Sequence, residues 1–344
     1  MIRVNEAFRP QRVTGQQRYA TEVADRLLRA PDVTGARPGG FAGRRGATAW
    51  AWTLAVLPVR TRGDVLLSLT SRAPLGHPRH VVTVHDLFVL TNPEWYSRGY
   101  VRTHAPVLRS SLRGAAAVLA VSEPVAAQVR ASGLTSAEVT VVPNAPSDLF
   151  GEVTADVATT VLDRHGLTRD RYLLTVGSRD PRKNLRRLVD AHAGLAPAVR
   201  RAFPLVVVGG GHAAFGDEGI SLPDDVVELG YVSDAELAAL YGSARAVVFP
   251  SLDEGFGLPI VEAAAAGARL VASDIPAFSW IAGDAMATVD PRSTDSIRAG
   301  LERVVDDIDS VPLLDVAAMR SRFDWDRSAA TALDVCRSVA GIRA

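Results

Sequence analysis

Only one cysteine, Cys336, occurs in 344 residues. No disulfide framework can form within such a chain, and the usage fits a reducing compartment such as the cytoplasm. Cys336 sits in an apolar-periodic stretch near the C-terminus and reads as a small buried hydrophobe. Long apolar runs are missing too. The nearest approach, ATAWAWTLAVLP at residues 47–58, falls short of the about 20 residues that span a bilayer. The start, MIRVNEAFRP, carries arginines and no apolar core, so it does not read as a secretory signal. No short repeat or low-complexity tract is present. Lysine is absent from residues 1–150, where 18 arginines face 10 acids. That half carries +8 and the remainder −8, for a net charge of zero. A basic half suits an anionic partner or an anionic membrane surface, which would add a peripheral position at the inner membrane face to a cytoplasmic location. The alternative is a solvated arginine-rich surface. Nucleic acid is not expected, because no binding motif or interleaved aromatic pattern accompanies the arginines.

What is present is a repeated alternation of apolar strand-like runs with amphipathic helical runs. The first half offers IRVNEA, DVLLSLT, HVVTVHD, AAVLAVS and EVTVVPN. The second offers RYLLTVGS, FPLVVVGG, DVVELGYV, ARAVVFPS, RLVASD and AMATVD. Strand–helix–strand alternation implies parallel sheets covered by helices on both faces, and two such sets imply two doubly wound α/β domains. The expected division is residues 1–160, residues 161–325 and a terminal helix at residues 326–344. Ligands of such sheets bind beyond the carboxyl ends of the strands, so the residues that follow each strand carry the functional reading.

After RYLLTVGS comes RDPRKN, which places Arg182 and Lys183 where a loop becomes a helix, with Asn184 as N-cap. A guanidinium fork and an ammonium beside a helix N-terminus make a phosphate site. After ARAVVFPS comes SLDEGFGLPIVEAAAAG. Its glycines Gly255 and Gly257 allow close backbone approach, and its carboxylates Glu254 and Glu262 can each accept two hydrogen bonds from a diol. The bland alternatives are a solvated loop acid for Glu254 and a first-turn helix acid for Glu262. The helix starts around Pro259, so the two glutamates need not share it. In the first half, His85 ends the strand HVVTVHD and Gly15 precedes a helix in VTGQQRY. Both also admit structural readings, as a satisfied core histidine and an ordinary glycine turn.

At these residues the sequence resembles the retaining glycosyltransferases of family 4, which have the GT-B fold. TGQQRY, VHDL, NPEWYS and VVPN carry the likeness in the first half. VGSRDPRKN, VVVGGG, LGYVSDAEL, PSLDEGFGLPIVEAAAAG and the series SDIPAF, GDA and DP carry it in the second. The resemblance implies two Rossmann-like domains with an interdomain cleft, and a terminal helix that crosses back to the first. The first domain would bind the acceptor and the second a nucleotide-diphosphate sugar, with no cofactor or metal required. His85, Arg182, Lys183 and Glu254 would be the catalytic set. Gly15, Gly177, Ser178, Arg182, Lys183, Tyr231, Val232, Glu254, Gly255, Phe256, Gly257, Leu258 and Glu262 would hold the donor. Within that set, Arg182 and Lys183 would neutralise the diphosphate, Glu262 would hold the ribose hydroxyls, Glu254 with the backbone at 255–258 would hold the sugar, and the loop 230–232 would lie near the nucleobase. GQQRY resembles the mannosyltransferase- and rhamnosyltransferase-like subset, which favours GDP-mannose over other donors. The acceptor would be a saccharide or lipid-linked hydroxyl.

The sequence admits two rival readings. One is a nucleotide-sugar-binding protein of the same fold without transferase activity; the other is a dinucleotide-dependent oxidoreductase built on VVVGGGHAA. The second is disfavoured because turn formers, not a helix, follow the glycines. The acidic D-x-D stretch DWD at residues 324–326 reads as a helix cap rather than a metal site.

Overall fold

The computed structural model describes residues 1–11, 14–39, 47–151, 153–177, 180–210 and 222–342. The chain forms two compact units, residues 1–93 with 98–144 and 323–344, and residues 94–97 with 145–322.

The first unit is built on six parallel strands, β1 (Ile2–Asn5), β2 (Val33–Ala36), β3 (Val65–Ser68), β4 (His80–Val84), β5 (Ala115–Ala120) and β6 (Val139–Val141). They lie in the order β2-β1-β3-β4-β5-β6. Every residue of β3 and β4 is buried, as expected where helices cover both faces of a parallel sheet and the strands become continuous apolar runs. The sequence pattern does not announce β2. It is a four-residue edge strand, VTGA, and its glycine is required by packing rather than by strand propensity. A Cβ on Gly35 would fall 1.8 Å from a carboxylate oxygen of the buried Glu6.

Residues 47–60 fold as three short consecutive pieces, Ala47–Ala51, the π-helical Trp52–Val56 and Leu57–Arg60. Among the described residues no helix is long and apolar enough to cross a membrane. The terminal helix, Trp325–Ala340, belongs to this first unit. Its Trp325 meets Tyr19 of the helix Gly15–Leu27 edge-on at 6.0 Å. Its Arg337 makes two 2.9 Å bonds to Asp32, and its Ser328 donates to the Pro143 carbonyl at 2.8 Å. Asp324 caps the helix by accepting from the Arg327 amide at 2.8 Å, so DWD is a cap. Cys336 is fully buried on the same helix, and burial pushes its thiol up to about 12.

The second unit carries β7 (Leu173–Val176), β8 (Leu205–Val208), β9 (Val226–Gly230), β10 (Ala246–Phe249), β11 (Leu270–Ser273) and β12 (Ala287–Val289), all parallel. The order is β12-β11-β10-β7-β8-β9. The chain therefore builds outward from β7 in one direction, then returns to place β10 on its other side. The loops after β7 and β10 leave the sheet at this reversal, where doubly wound sheets bind ligands. The expected division at 160/161 lies inside the helix Ala155–His165, which falls whole within the second unit. That helix runs from its Thr154 cap to a left-handed Gly166, with no break between.

Candidate active site

The carboxyl ends of β7, β8 and β9 are tied together by main-chain contacts that only glycine permits. The Gly177 amide donates to the Val208 carbonyl at 2.9 Å, and the Gly209 amide to the Gly230 carbonyl at 2.7 Å. Gly209 sits at φ +128°, and a Cβ there would lie 1.9 Å from the Gly177 carbonyl oxygen. The loop after β7 then turns through Asp180 into a 3₁₀ turn, Pro181–Lys183. Asp180 has no exposed side-chain surface. It accepts from the Arg182 amide at 2.9 Å, from Nε at 2.9 Å and from Nη2 at 2.6 Å. One carboxylate thus fixes both the main chain and the guanidinium of Arg182. The sequence reading did not single out Asp180; its signal is a D-x-R spacing that an Asx turn would produce.

Asn184 is not a side-chain cap. It takes a left-handed φ of +57°, and its amide donates to the carbonyls of Pro250 at 2.9 Å and Pro291 at 2.7 Å. A capping side chain must accept from the first turn, and this one is turned the other way, clamping the loops after β10 and β12.

Lys183 is the only lysine in the chain. Its methylenes lie over Gly177, whose absent Cβ would be 3.3 Å from them. Its Nζ reaches Glu254 Oε1 at 2.5 Å, and Ser251 Oγ donates to the same oxygen at 2.9 Å. The Lys183 and Glu254 side chains are 20% and 10% exposed. Burial alone would raise the Glu254 carboxyl. The fields of Lys183 and Arg182, with hydrogen bonds from Lys183 and Ser251, outweigh it and hold the group below its ordinary value. The Leu252 amide donates to the Arg182 carbonyl at 2.7 Å, so the two loops at the chain reversal are joined directly.

Beyond Glu254, the chain passes through buried Gly255 and Phe256 to Gly257 at φ +107°. A Cβ on Gly257 would be 2.9 Å from the Phe278 ring, so position 257 excludes side chains on both conformation and space. Phe256 is 5% exposed and meets Trp280 edge-on at 6.0 Å. The helix Leu258–Ala265 starts with Pro259 in its first turn and has neither a capping side chain nor a first-turn acid. Its leading N–H groups are therefore not consumed by a cap, which favours an anion there. Glu262 lies in the second turn rather than the first and is 6% exposed. Helix-dipole complementation at the first turn is thus not its role. Tyr231 follows β9 and is 70% exposed, and Val232 is half-buried. Ser178 lies outside the described residues, as do residues 211–214 of VVVGGGHAA.

The first unit holds the other two expected site residues. His85 follows β4, is 9% exposed, and shares a hydrogen bond of 2.9 Å with the Leu69 carbonyl through Nε2. The Tyr19 ring stands against it at 5.1 Å, nearly perpendicular. Burial lowers the imidazole to about 4, against the Leu69 bond, which opposes the shift. Gly15 is the first residue of the helix Gly15–Leu27 rather than part of the preceding loop, and a Cβ there would meet nothing within 4 Å. Among the described residues no group of three or more His, Cys, Asp or Glu side chains could hold a metal ion.

The family model described as "Glycosyl transferases group 1" matches residues 161–312, and "Glycosyltransferase Family 4" matches residues 51–145. The O-antigen chain mannosyltransferase B of Escherichia coli is 31% identical over 271 residues, 72% of this chain and 67% of that protein. The serotype-specific mannosyltransferase WbdA of Escherichia coli is 27% identical over 74% of this chain, which spans only 33% of its length. Among solved structures, sucrose-phosphate synthase of Thermosynechococcus elongatus superposes with a TM-score of 0.75 at 18% identity, covering 99% of each chain. HepE of Anabaena, in complex with UDP-glucose, does so at 0.72 and 18% identity, covering 97% of this chain and 99% of its own. The two parallel six-stranded sheets are those of the GT-B fold, and the chain belongs to glycosyltransferase family 4, as a glycosyltransferase.

Proposed function

We propose that the second unit binds a nucleotide-diphosphate sugar and that the enzyme transfers its hexose or deoxyhexose, with retention, to a hydroxyl of a saccharide or lipid-linked acceptor. The observation that carries this reading is the meeting of Arg182, Lys183, Glu254 and an uncapped helix N-terminus at the point where the sheet order reverses. GDP-mannose is the favoured donor, because the relatives aligned over most of this chain are named mannosyltransferases. Arg182, Lys183 and the N–H groups of residues 255–258 hold the diphosphate. Glu254 holds the sugar hydroxyls, Glu262 the ribose, and Tyr231 with Val232 borders the base; Gly177 completes the phosphate side. His85 and Gly15 act from the first unit on the sugar and the phosphates.

As the bond between the anomeric carbon and the phosphate oxygen breaks, negative charge gathers on the diphosphate, and two fixed cations stabilise it without reorganisation. The acceptor oxygen bonds to the same face, and its proton passes to the leaving phosphate oxygen. His85, neutral above about pH 4, is not required to move that proton.

Release of nucleotide from a panel of GDP-, UDP- and dTDP-sugars identifies the donor. On that donor, Arg182→Ala lowers turnover by about two orders of magnitude or more, and near-normal turnover removes Arg182 from the phosphate role. The anomeric configuration of the product, read by NMR, decides retention.

One surface observation favours a membrane-proximal acceptor. The helix Arg98–Arg113 exposes Arg98, Arg102, Arg109 and Arg113 and contains no acid. At about 100° per residue these four fall within roughly 60° of one another on the helix face. The structure pairs many other arginines of this unit, Arg3, Arg9, Arg26, Arg37 and Arg130 among them. The stripe is suited to the headgroups of an anionic lipid surface.

A further inference from the structure

We infer that the Lys183–Glu254 ion pair lets the site distinguish a sugar-loaded donor from the spent nucleoside diphosphate, because one carboxylate serves either the lysine or the sugar. The inference rests on the donor-binding reading above and adds to it a task for the contact between these two side chains.

In the structure, Glu254 Oε1 is already occupied by Lys183 Nζ at 2.5 Å and Ser251 Oγ at 2.9 Å. Oε2 has no hydrogen-bond donor among the described residues, and it is the oxygen left for a sugar hydroxyl. The pair is largely shielded from water, at 20% and 10% side-chain exposure. Separating a shielded pair without replacing the lost partner is strongly unfavourable, since the carboxylate is left charged and unpaired.

A diphosphate needs the ammonium. An intact donor draws Lys183 toward phosphate and supplies hydroxyls to Glu254 in exchange, so both charges stay satisfied. A bare nucleoside diphosphate draws on the same lysine and offers Glu254 nothing. Once the sugar has been transferred, Glu254 therefore competes with the product for the only lysine in the chain and favours its departure. Arg182, whose field also acts on Glu254, has a carboxylate of its own: Asp180 accepts from its Nε and Nη2, and no sugar hydroxyl competes for that carboxylate, which has no exposed surface.

The test is a double-mutant cycle on the full-length enzyme, read by titration calorimetry with GDP and UDP and with the corresponding nucleotide-sugars. Glu254→Gln is expected to bind the nucleoside diphosphate about tenfold more tightly while its KM for the intact donor rises. In a Lys183→Met background the gain is expected to vanish, because no ammonium remains to be released. A gain that persists without the lysine shows simple charge repulsion between Glu254 and phosphate, and overturns the inference. So does equal affinity of wild type and Glu254→Gln. Wild-type enzyme that binds neither GDP nor UDP and hydrolyses no nucleotide-sugar overturns the donor-binding reading, and the inference with it.

A second readout needs no ligand. With one lysine in the chain, ¹³Cε-lysine labelling gives a single side-chain resonance. That resonance is expected to move when Glu254 becomes glutamine. If it stays in place, the pair does not form in solution and the inference falls.

Discussion

Asp180 decides how Arg182 presents itself. A lone arginine at a phosphate site samples many rotamers, and fixing it before the ligand arrives removes that entropy from the binding step. Three hydrogen bonds accepted by one fully buried carboxylate achieve this. Hydrogen bonds to charged groups are worth about 1.5–3 kcal/mol each, so losing even one ionic contact should cost roughly tenfold to a hundredfold. Asp180→Asn retains the size and can still accept from the main chain, but its amide cannot accept from both guanidinium nitrogens. Turnover is expected to fall by roughly that factor, while Asp180→Asn adds no further loss in the Arg182→Ala background. A fully additive loss in steady-state kinetics would mean that Asp180 acts on something other than Arg182. The cations and glutamates of this candidate site could be picked out in RDPRKN and EGFGLPIVE, because charged residues beside glycines at the carboxyl ends of strands stand out by type and place. Asp180 was not legible. Its task depends on facing a neighbour two residues along the chain, a relation that no periodicity marks. Asn184 illustrates the converse: its residue type suggested a cap, and tertiary contacts with Pro250 and Pro291 override that preference.

Among the described residues, eleven of the twelve strands could be read from the sequence, most of them because a strand buried on both faces must be apolar throughout. The exception, β2, is short, lies at the sheet edge and is shaped by the buried Glu6 against Gly35. The helix Arg98–Arg113 poses a different question, since its stripe opposes its own stability. Like charges four residues apart, as at Arg98 and Arg102 or Arg109 and Arg113, cost a few tenths of a kcal/mol per pair. No acid within the helix relieves them. An anionic leaflet contributes about 1 kcal/mol for each arginine near it, which more than offsets that repulsion. Reversing two of the four, Arg102→Glu with Arg109→Glu, is expected to weaken sedimentation with phosphatidylglycerol-containing vesicles by roughly tenfold or more. Binding of wild type to such vesicles should fall steeply with salt and be absent with phosphatidylcholine alone. Donor hydrolysis in solution should be unchanged in the variant, because none of the four arginines is among the residues assigned to the donor. Wild-type and reversed proteins that sediment alike would rule the lipid surface out.

For the molecule as a whole, the two units differ in how they meet acid. The first unit holds His77, His80, His85 and His104, all lowered by burial from an ordinary 6.5, His80 to about 3 and His85 to about 4. Among the described residues of the second unit, only His192 is lowered in the same way. A buried histidine with a depressed pKa binds its proton more readily unfolded than folded, so stability rises with pH across the interval between the two values. The contribution is complete above about pH 6.5 and is lost as pH falls toward the folded-state values of about 3 to 4. Carboxylates held down by hydrogen bonds and cations, Asp32 and Asp64 in the first unit, Glu236 (chiefly by the Ser233 amide and hydroxyl) and Glu254 in the second, act in a lower window. Their ordinary values are 3.8 and 4.5, and their stabilisation fades only below those. Between about pH 6.5 and 5, acid should therefore weigh on the first unit far more than on the second. Each pKa unit of difference is worth about 1.4 kcal/mol, so several such histidines suffice to separate the two units' melting. Scanning calorimetry from pH 7 to pH 5 is expected to show one transition moving down by several degrees while the other stays nearly still. The moving transition should be the one that exposes Cys336, the sole thiol and a core residue of the first unit, to a thiol reagent. Transitions that fall in parallel over this range, or Cys336 released with the stationary one, would refute the assignment of acid sensitivity to the first unit's histidines.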